Sequence, residues 1–280
     1  TTGAPPVVAT PPVASGACCT DGNCFCRGDD PSEISASQAG PFSFESYSQG
    51  FSPGAGVTSH TVWYPVDAEP PFAGIAIVPG FVSPESSISD WGPFLASHGI
   101  VAVTIGVPGG DQPPTRASKL MTTVDGIIAE HTRTGSPLEG KLDVTRMAVA
   151  GWSMGGGGAM IAASENPQLS AAIGFAAWGP RGAAANQVPA LMFEATADIL
   201  AANMSDGHYA MIPASVPKML FEVQGSSHNV ANAPENHDGI IGRYGLSWLK
   251  VFMEGDERYR QFLTAGFPSI ATAKSDTNVQ

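Results

Sequence analysis

From residue 72 onward the chain alternates two patterns of apolar residues. Continuous apolar runs occur at Ala73–Pro79, Ile100–Ile105, Arg146–Ala150, Leu169–Ala176, Pro189–Phe193 and Met219–Val223. Runs of this length with no polar alternation predict strands covered on both faces, which is the environment of a parallel sheet. Between them, Ser87–His98 (with Trp91, Phe94 and Leu95), Thr115–Glu130 and Ile240–Phe252 repeat apolar residues at helical spacing. Further upstream, Phe42, Phe44 and Tyr47, and then Thr61–Tyr64, form short β-rich runs separated by Gly and Pro. These predict antiparallel strands at the edge of a mixed sheet. The pattern is that of an α/β sandwich. Dinucleotide-binding folds share this alternation, but no Gly-x-Gly-x-x-Gly follows an early strand here.

The remaining features refine this picture. The 280 residues include 43% hydrophobic and 14% charged side chains, enough apolar material for one large core. A net charge of −12 repels phosphate backbones and anionic surfaces, so nucleic acid is not an expected partner. No apolar run approaches the roughly 20 residues needed to span a bilayer, and a monomer is expected. Residues 1–37 are rich in Pro, Ala, Thr and Gly and read as an N-terminal tail, with residues 38–280 as the catalytic domain. All four cysteines, Cys18, Cys19, Cys24 and Cys26, fall inside that tail. Adjacent cysteines rarely bond each other, so disulfides crossing from Cys18 and Cys19 to Cys24 and Cys26 are expected, with the connectivity open and a zinc knot as the rival. Disulfides imply an oxidising compartment, hence a secreted, extracellular or periplasmic protein.

The candidate chemistry centres on Gly151-Trp152-Ser153-Met154-Gly155, between the run ending at Ala150 and a Gly/Ala-rich helix. A serine on a sharp strand-to-helix turn needs small residues two positions to either side, and Gly151 and Gly155 supply them. The turn predicts a nucleophile elbow, with the Met154 N–H at a helix N-terminus where negative charge is favoured. A serine nucleophile needs a histidine base and an acid that orients it, in the order serine, acid, histidine for this architecture. Among the histidines after the elbow, His228 lies in a small-residue loop directly after Met219–Val223, and His237 lies further into a polar loop. Asp198, just past Pro189–Phe193, is the leading acid; Asp206 is second, and Glu194 lies at the strand end. The second oxyanion donor is expected from the loop after the first central strand, Pro79-Gly80-Phe81, making it the Phe81 N–H. Phe81 and Trp178, at the ends of different strands, are candidates for the walls of the cleft.

Ala73-Gly-Ile-Ala-Ile-Val-Pro-Gly-Phe81, Trp91-Gly-Pro-Phe-Leu-Ala-Ser-His-Gly99, Gly151-Trp-Ser-Met-Gly-Gly-Gly-Gly158 and Gly225-Ser-Ser-His228 together resemble the bacterial cutinase and poly(ethylene terephthalate) hydrolase family, from about Gly40 to Phe262. The resemblance implies an α/β-hydrolase fold with a mostly parallel sheet, helices on both sides and no large lid. It implies serine-dependent hydrolysis of carboxylic esters, including polyesters, with Ser153, Asp198 and His228 as triad. Phe81 and Met154 amides would form the oxyanion hole, and Phe81, Trp152 and Trp178 the substrate-binding surface. The position usually held by Tyr is Phe81 here, and the family's C-terminal disulfide has no counterpart, since no cysteine follows Cys26. No cofactor is expected; parts of the family are stabilised by calcium, but no acidic cluster here compels a metal. Other readings are a lipase or small-ester hydrolase with incidental polyester activity, and a binding protein on a silent hydrolase scaffold.

Overall fold

The computed structural model describes residues 18, 25–179, 185–264 and 266–280. Among the described residues nine strands form one sheet: β1 (Phe44–Tyr47), β2 (Ser59–Pro65), β3 (Phe72–Val78), β4 (Val101–Gly106), β5 (Leu142–Trp152), β6 (Ala171–Phe175), β7 (Ala190–Ala195), β8 (Lys218–Val223) and β9 (Asp276–Thr277). Their spatial order is β1-β2-β4-β3-β5-β6-β7-β8-β9. β1 and β2 are antiparallel to each other and β2 is antiparallel to β4, while β4 through β8 run parallel. The short edge run and the parallel centre both follow the hydrophobic pattern. Every residue of β3, β4, β6 and β7 is buried, as helix-covered strands require.

Two apolar clusters fill the two faces. One packs Trp91, Leu95, Trp248 and Leu249 from α2 (Trp91–Ser97) and α6 (Ile240–Leu249) against Phe175, Phe193 and Phe221. The other packs Leu120, Val124 and Ile127 of α3 (Pro113–Glu130) and Met160 and Ile161 of α4 (Met154–Glu165) against Val101, Val103, Met192 and Leu220. On the first face an aromatic ladder crosses neighbouring strands in register. Phe175 lies opposite Phe193 and Phe193 opposite Phe221, with ring centroids 6.0 and 5.9 Å apart, and Trp91 stacks on Phe175 at 4.6 Å. Such cross-strand pairs fix register. Here they lock β6, β7 and β8, the three strands whose C-terminal loops carry Trp178, Asp198 and His228.

Several elements differ in extent from the hydrophobic pattern. α3 begins at Pro113 because proline's fixed φ suits a first helical turn. β5 starts at Leu142, and α6 continues into a wider π-helical turn over Lys250–Glu254. Three helices escaped the pattern: α1 (Glu33–Ser37), α5 (Met204–Met211) and α7 (Gln261–Thr264). α1 lies within the segment assigned to the tail, closed by a capping box in which Ser32 accepts from the Ser35 N–H. Ala36 is fully buried, Arg243 of α6 pairs with Glu33, and Phe25 N–H donates to the Glu254 carbonyl at 2.8 Å. Cys18 and Cys26 form a disulfide; Cys19 and Cys24 lie outside the described residues. Among the described residues, no helix is long and apolar enough to cross a membrane.

Candidate active site

Ser153 follows the last residue of β5 with φ 57° and ψ −120°, a conformation that costs about 1–3 kcal/mol for a residue with a Cβ and must be held by its surroundings. The elbow glycines show what holds it. A Cβ on Gly151 would lie 2.2 Å from the Gly155 carbonyl oxygen, and one on Gly155 2.4 Å from the Val78 carbonyl oxygen. Strand, turn and helix are therefore in backbone contact, as the spacing of the small residues predicts. The Ser153 N–H donates to Phe175 O at 2.8 Å, and Ser153 O accepts from Trp178 N–H at 2.8 Å and Gly157 N–H at 3.1 Å. The backbone of the candidate nucleophile is fixed on both sides. Met154 is the first residue of α4, where an N–H has no partner within the helix.

The loop after β3 closes on the same point. A Cβ on Gly80 would stand 2.9 Å from Ser153 Cβ and 3.4 Å from Ser153 Oγ, so only glycine lets this loop pass over the serine. The steric need for Gly80 has no short-range signal; it exists only once β3 and β5 lie side by side. Beyond it, Phe81 is 56% exposed, on the loop that follows Gly80.

His228 and Asp198, from the loops after β8 and β7, are joined by a 2.7 Å hydrogen bond between His228 Nδ1 and Asp198 Oδ2. The Asp198 side chain is fully buried, and its other oxygen accepts the N–H groups of Leu200 at 2.8 Å and Ala201 at 2.9 Å. Three donors engage this solvent-shielded carboxylate, which fixes its orientation. With Nδ1–H donating to Asp198, the lone pair of the neutral imidazole is on Nε2. Trp152 joins this pair to the elbow: its indole N–H donates to the His228 carbonyl at 2.9 Å, and the two rings lie 5.4 Å apart. Trp178 is half-buried on the loop after β6.

The other acids and histidines are engaged elsewhere. The Asp206 side chain is 43% exposed, 3.6 Å from Lys274. Glu194 pairs with Lys274 at 2.8 Å, and its burial pushes its pKa up against the influence of that cation. His60 contacts Ser48 O, His98 contacts Gln38 O, and His131 accepts the Leu142 N–H. His237 reaches Ser226 Oγ at 3.0 Å, supporting the loop that carries His228. The group of potential metal ligands among the described residues is Cys18, Cys26 and Asp256, and two of these are joined as the disulfide.

The elbow of Ser153 is thus linked through Trp152 to a buried acid–histidine pair. Comparison with known proteins identifies the family. The sequence profile of the PETase family, described as PET hydrolase-like, matches residues 19–279, well beyond the Gly40–Phe262 span of the motifs. Cutinase 1 of Thermobifida cellulosilytica is 34% identical over 249 residues, covering 87% of this chain and 92% of its own. A cutinase of Thermobifida fusca is 34% identical with 87% and 80% covered, and a bis(hydroxyethyl) terephthalate hydrolase of Streptomyces coelicolor is 34% identical with 86% and 77% covered. With the sheet order, the elbow and this match over nearly the whole chain, the protein belongs to the PET hydrolase-like family of ester hydrolases.

Proposed function

We propose that the protein is a secreted serine esterase that hydrolyses polyesters through an acyl-enzyme, with Ser153 as nucleophile, His228 as general base and then acid, and Asp198 as the group that orients it. The observation that carries this reading is the buried Asp198–His228 pair at 2.7 Å, tied through Trp152 to the strained elbow of Ser153. His228 Nε2 takes the serine proton as Oγ attacks the ester carbonyl, and the oxyanion is received by the Phe81 and Met154 N–H groups. His228 then returns the proton to the leaving alcohol. A water activated by the same imidazole cleaves the acyl-enzyme and regenerates the serine.

Phe81, Trp152 and Trp178 form the substrate-binding surface in this reading, a set of flat rings suited to the acyl unit of an aromatic polyester. The names of the relatives, cutinase and bis(hydroxyethyl) terephthalate hydrolase, support both aliphatic and aromatic ester substrates. The Cys18–Cys26 disulfide supports export to an oxidising compartment. The test is turnover of a short p-nitrophenyl ester and of an insoluble polyester film, with labelling by a fluorophosphonate. Wild type is labelled at Ser153 and hydrolyses both; Ser153→Ala folds, is not labelled and loses several orders of magnitude in turnover. Labelling elsewhere, or an active Ser153→Ala, overturns the assignment. Hydrolysis of long-chain triglyceride with no release from the film turns the reading to a lipase.

A further inference from the structure

We infer that Arg116 is a positioning residue for the oxyanion hole, holding the loop that presents the Phe81 N–H and tying it to the helix that presents the Met154 N–H. The inference rests on the assignment of Ser153, Phe81 and Met154 above. Arg116, on the first turn of α3, is 0% exposed, and its guanidinium is spent on backbone carbonyls. Nη1 donates to Pro79 O at 2.9 Å, Nη2 to Gly109 O at 3.1 Å and Nε to Asp111 O at 2.8 Å. The Asp111 carboxylate is taken by Lys119 at 2.5 Å. A buried cation that rests on carbonyls rather than on a carboxylate is costly to desolvate, and an apolar side chain would pack the same space more cheaply.

The position of those carbonyls gives the cation its use. Pro79 O lies two residues before Phe81. Gly109 O, besides accepting from Arg116, accepts the Val82 N–H at 3.1 Å, one residue after Phe81. The chain is thus pinned on both sides of the Phe81 amide by one guanidinium. Between the pins, Ser83 N–H closes a turn onto Gly80 O at 3.4 Å, and Val82 has φ 51°. A β-branched residue is strained in this left-handed region, where a turn ordinarily places glycine, so without external ties the turn has reason to relax. Relaxation rotates the amide that must point at the oxyanion.

The same side chain references the second donor. A Cβ on Gly155 would stand 2.6 Å from Pro79 O, so the elbow helix touches the carbonyl that Arg116 holds. A Cβ on Gly158 would stand 3.0 Å from Arg116 Cβ, so the stem of the arginine lies against the next turn of that helix. Both halves of the oxyanion hole are located from one buried group. Donors placed before the reaction are worth more than donors that must move into place.

The experiment compares wild type with Arg116→Gln, Arg116→Lys and Gly109→Ala. The last leaves the cation intact but places a Cβ 2.9 Å from Val82 Cα, forcing the pinned turn to shift. Each is assayed for kcat and KM on p-nitrophenyl butyrate, for affinity towards a boronic acid that forms a tetrahedral adduct on the serine, and for melting temperature. Loss of one oxyanion donor costs about 10²–10³ in kcat, so a misplaced donor in folded Arg116→Gln lowers kcat by about tenfold to a hundredfold. KM stays within about twofold, and boronate affinity falls with kcat. Arg116→Lys recovers part of the loss, and Gly109→Ala repeats it in milder form. Folded Arg116 variants with wild-type kcat and boronate affinity overturn the inference, as does a loss confined to KM. If Arg116→Gln does not fold, Arg116→Lys and Gly109→Ala decide by the same readouts. Fluorophosphonate labelling of wild type at Ser153 keeps the parent assignment standing whatever the Arg116 variants do; failure of that labelling removes both.

Discussion

The indole N–H of Trp152 donates to the backbone carbonyl of His228 at 2.9 Å, so the residue immediately before the proposed nucleophile holds the loop that carries its proposed base. The two residues come from β5 and from the loop after β8, strands that are not neighbours in the sheet. The bond joins the two across the intervening strands β6 and β7. Trp152→Phe keeps the ring and removes the donor. Its kcat on a short ester is expected to fall by about threefold to tenfold with little change in melting temperature, the size of one hydrogen bond of about 1 kcal/mol. Unchanged kcat would show that the loop is held by other contacts.

Asp198 and Asp206 are only eight positions apart in sequence, yet the first is sealed against His228 and the second reaches a lysine at the surface. Asp198→Asn is therefore expected to lower kcat by about 10⁴-fold, because the amide favours the wrong imidazole tautomer. Asp206→Asn is expected to remain within about twofold of wild type. Paired measurements of both variants on one soluble ester check the ranking; the opposite order would assign the acid to Asp206.

This contrast shows what the sequence carried and what it did not. The elbow was legible because its requirement is local: a strained serine calls for small residues two positions either side, and Gly151 and Gly155 are there. The central strands were legible because both faces are buried, leaving uninterrupted apolar runs. The order of Asp198 and His228 along the chain restricted the candidates, but burial of Asp198 and its 2.7 Å partner depend on how two loops fold back over β7 and β8. Arg116 and Gly80 carried no signal, because their roles lie in carbonyls and contacts contributed by other loops. α1 was obscured by its length of five residues within a Pro- and Ser-rich stretch. Its docking depends on partners more than 200 positions away, Arg27 with Glu254 and Glu33 with Arg243.

That docking has a measurable consequence. Arg27 pairs with the fully buried Glu254 at 2.7 Å and also donates to the carbonyls of Glu69 and Pro71, joining the segment before α1 to the loop ahead of β3. Lys250 holds the other Glu254 oxygen at 2.5 Å. Breaking a buried pair costs about 3–5 kcal/mol when a charge is left alone; with Lys250 still in place the loss in Arg27→Met is expected at about 2–3 kcal/mol. The melting temperature should fall by about 5–10 °C. Calorimetry checks this, and a fall below about 1 °C would show that residues 25–37 contribute nothing to the stability of the catalytic core.

Stability should also depend on pH through His98. It is buried beneath Phe94 and Lys250 with a ring nitrogen on Gln38 O, and burial, reinforced by the Lys250 charge, pushes its pKa down to about 4 from 6.5. Between those values the unfolded chain binds a proton that the folded protein does not. The stability is therefore complete above pH 6.5 and is lost as pH falls towards 4, by on the order of 3 kcal/mol. Glu194, whose pKa is raised by burial, acts in the opposite sense, and at Glu130 burial, which pushes the pKa up, is outweighed by bonds to Arg133, Ser136 and Tyr47 that together hold it below the usual value, so its contribution is lost at lower pH still. The comparison that isolates His98 is the melting temperature of wild type and His98→Gln from pH 4.5 to 7. The variant should show the shallower slope; equal slopes would mean that His98 does not stay neutral in the fold.

Substrate shape is the last point at which the site can be tested. Phe81 and Trp178 leave different strands on either side of Ser153, one largely exposed and the other half-buried. Trp178 is also bound to the backbone of Ser153, the proposed nucleophile, through its own N–H, a contact that survives replacement of the side chain. Trp178→Ala therefore removes the ring without untying the elbow. Aromatic contacts add about 0.5–1.5 kcal/mol beyond burial, a threefold to tenfold effect on rate if the contact tightens towards the transition state. Release of product from an aromatic polyester should fall by that factor, while hydrolysis of a short acetate ester, which barely reaches the ring, should fall much less. A tryptophan that served only the core would, once removed, lower the melting temperature and depress both substrates together, and that pattern would withdraw the preference for aromatic acyl groups.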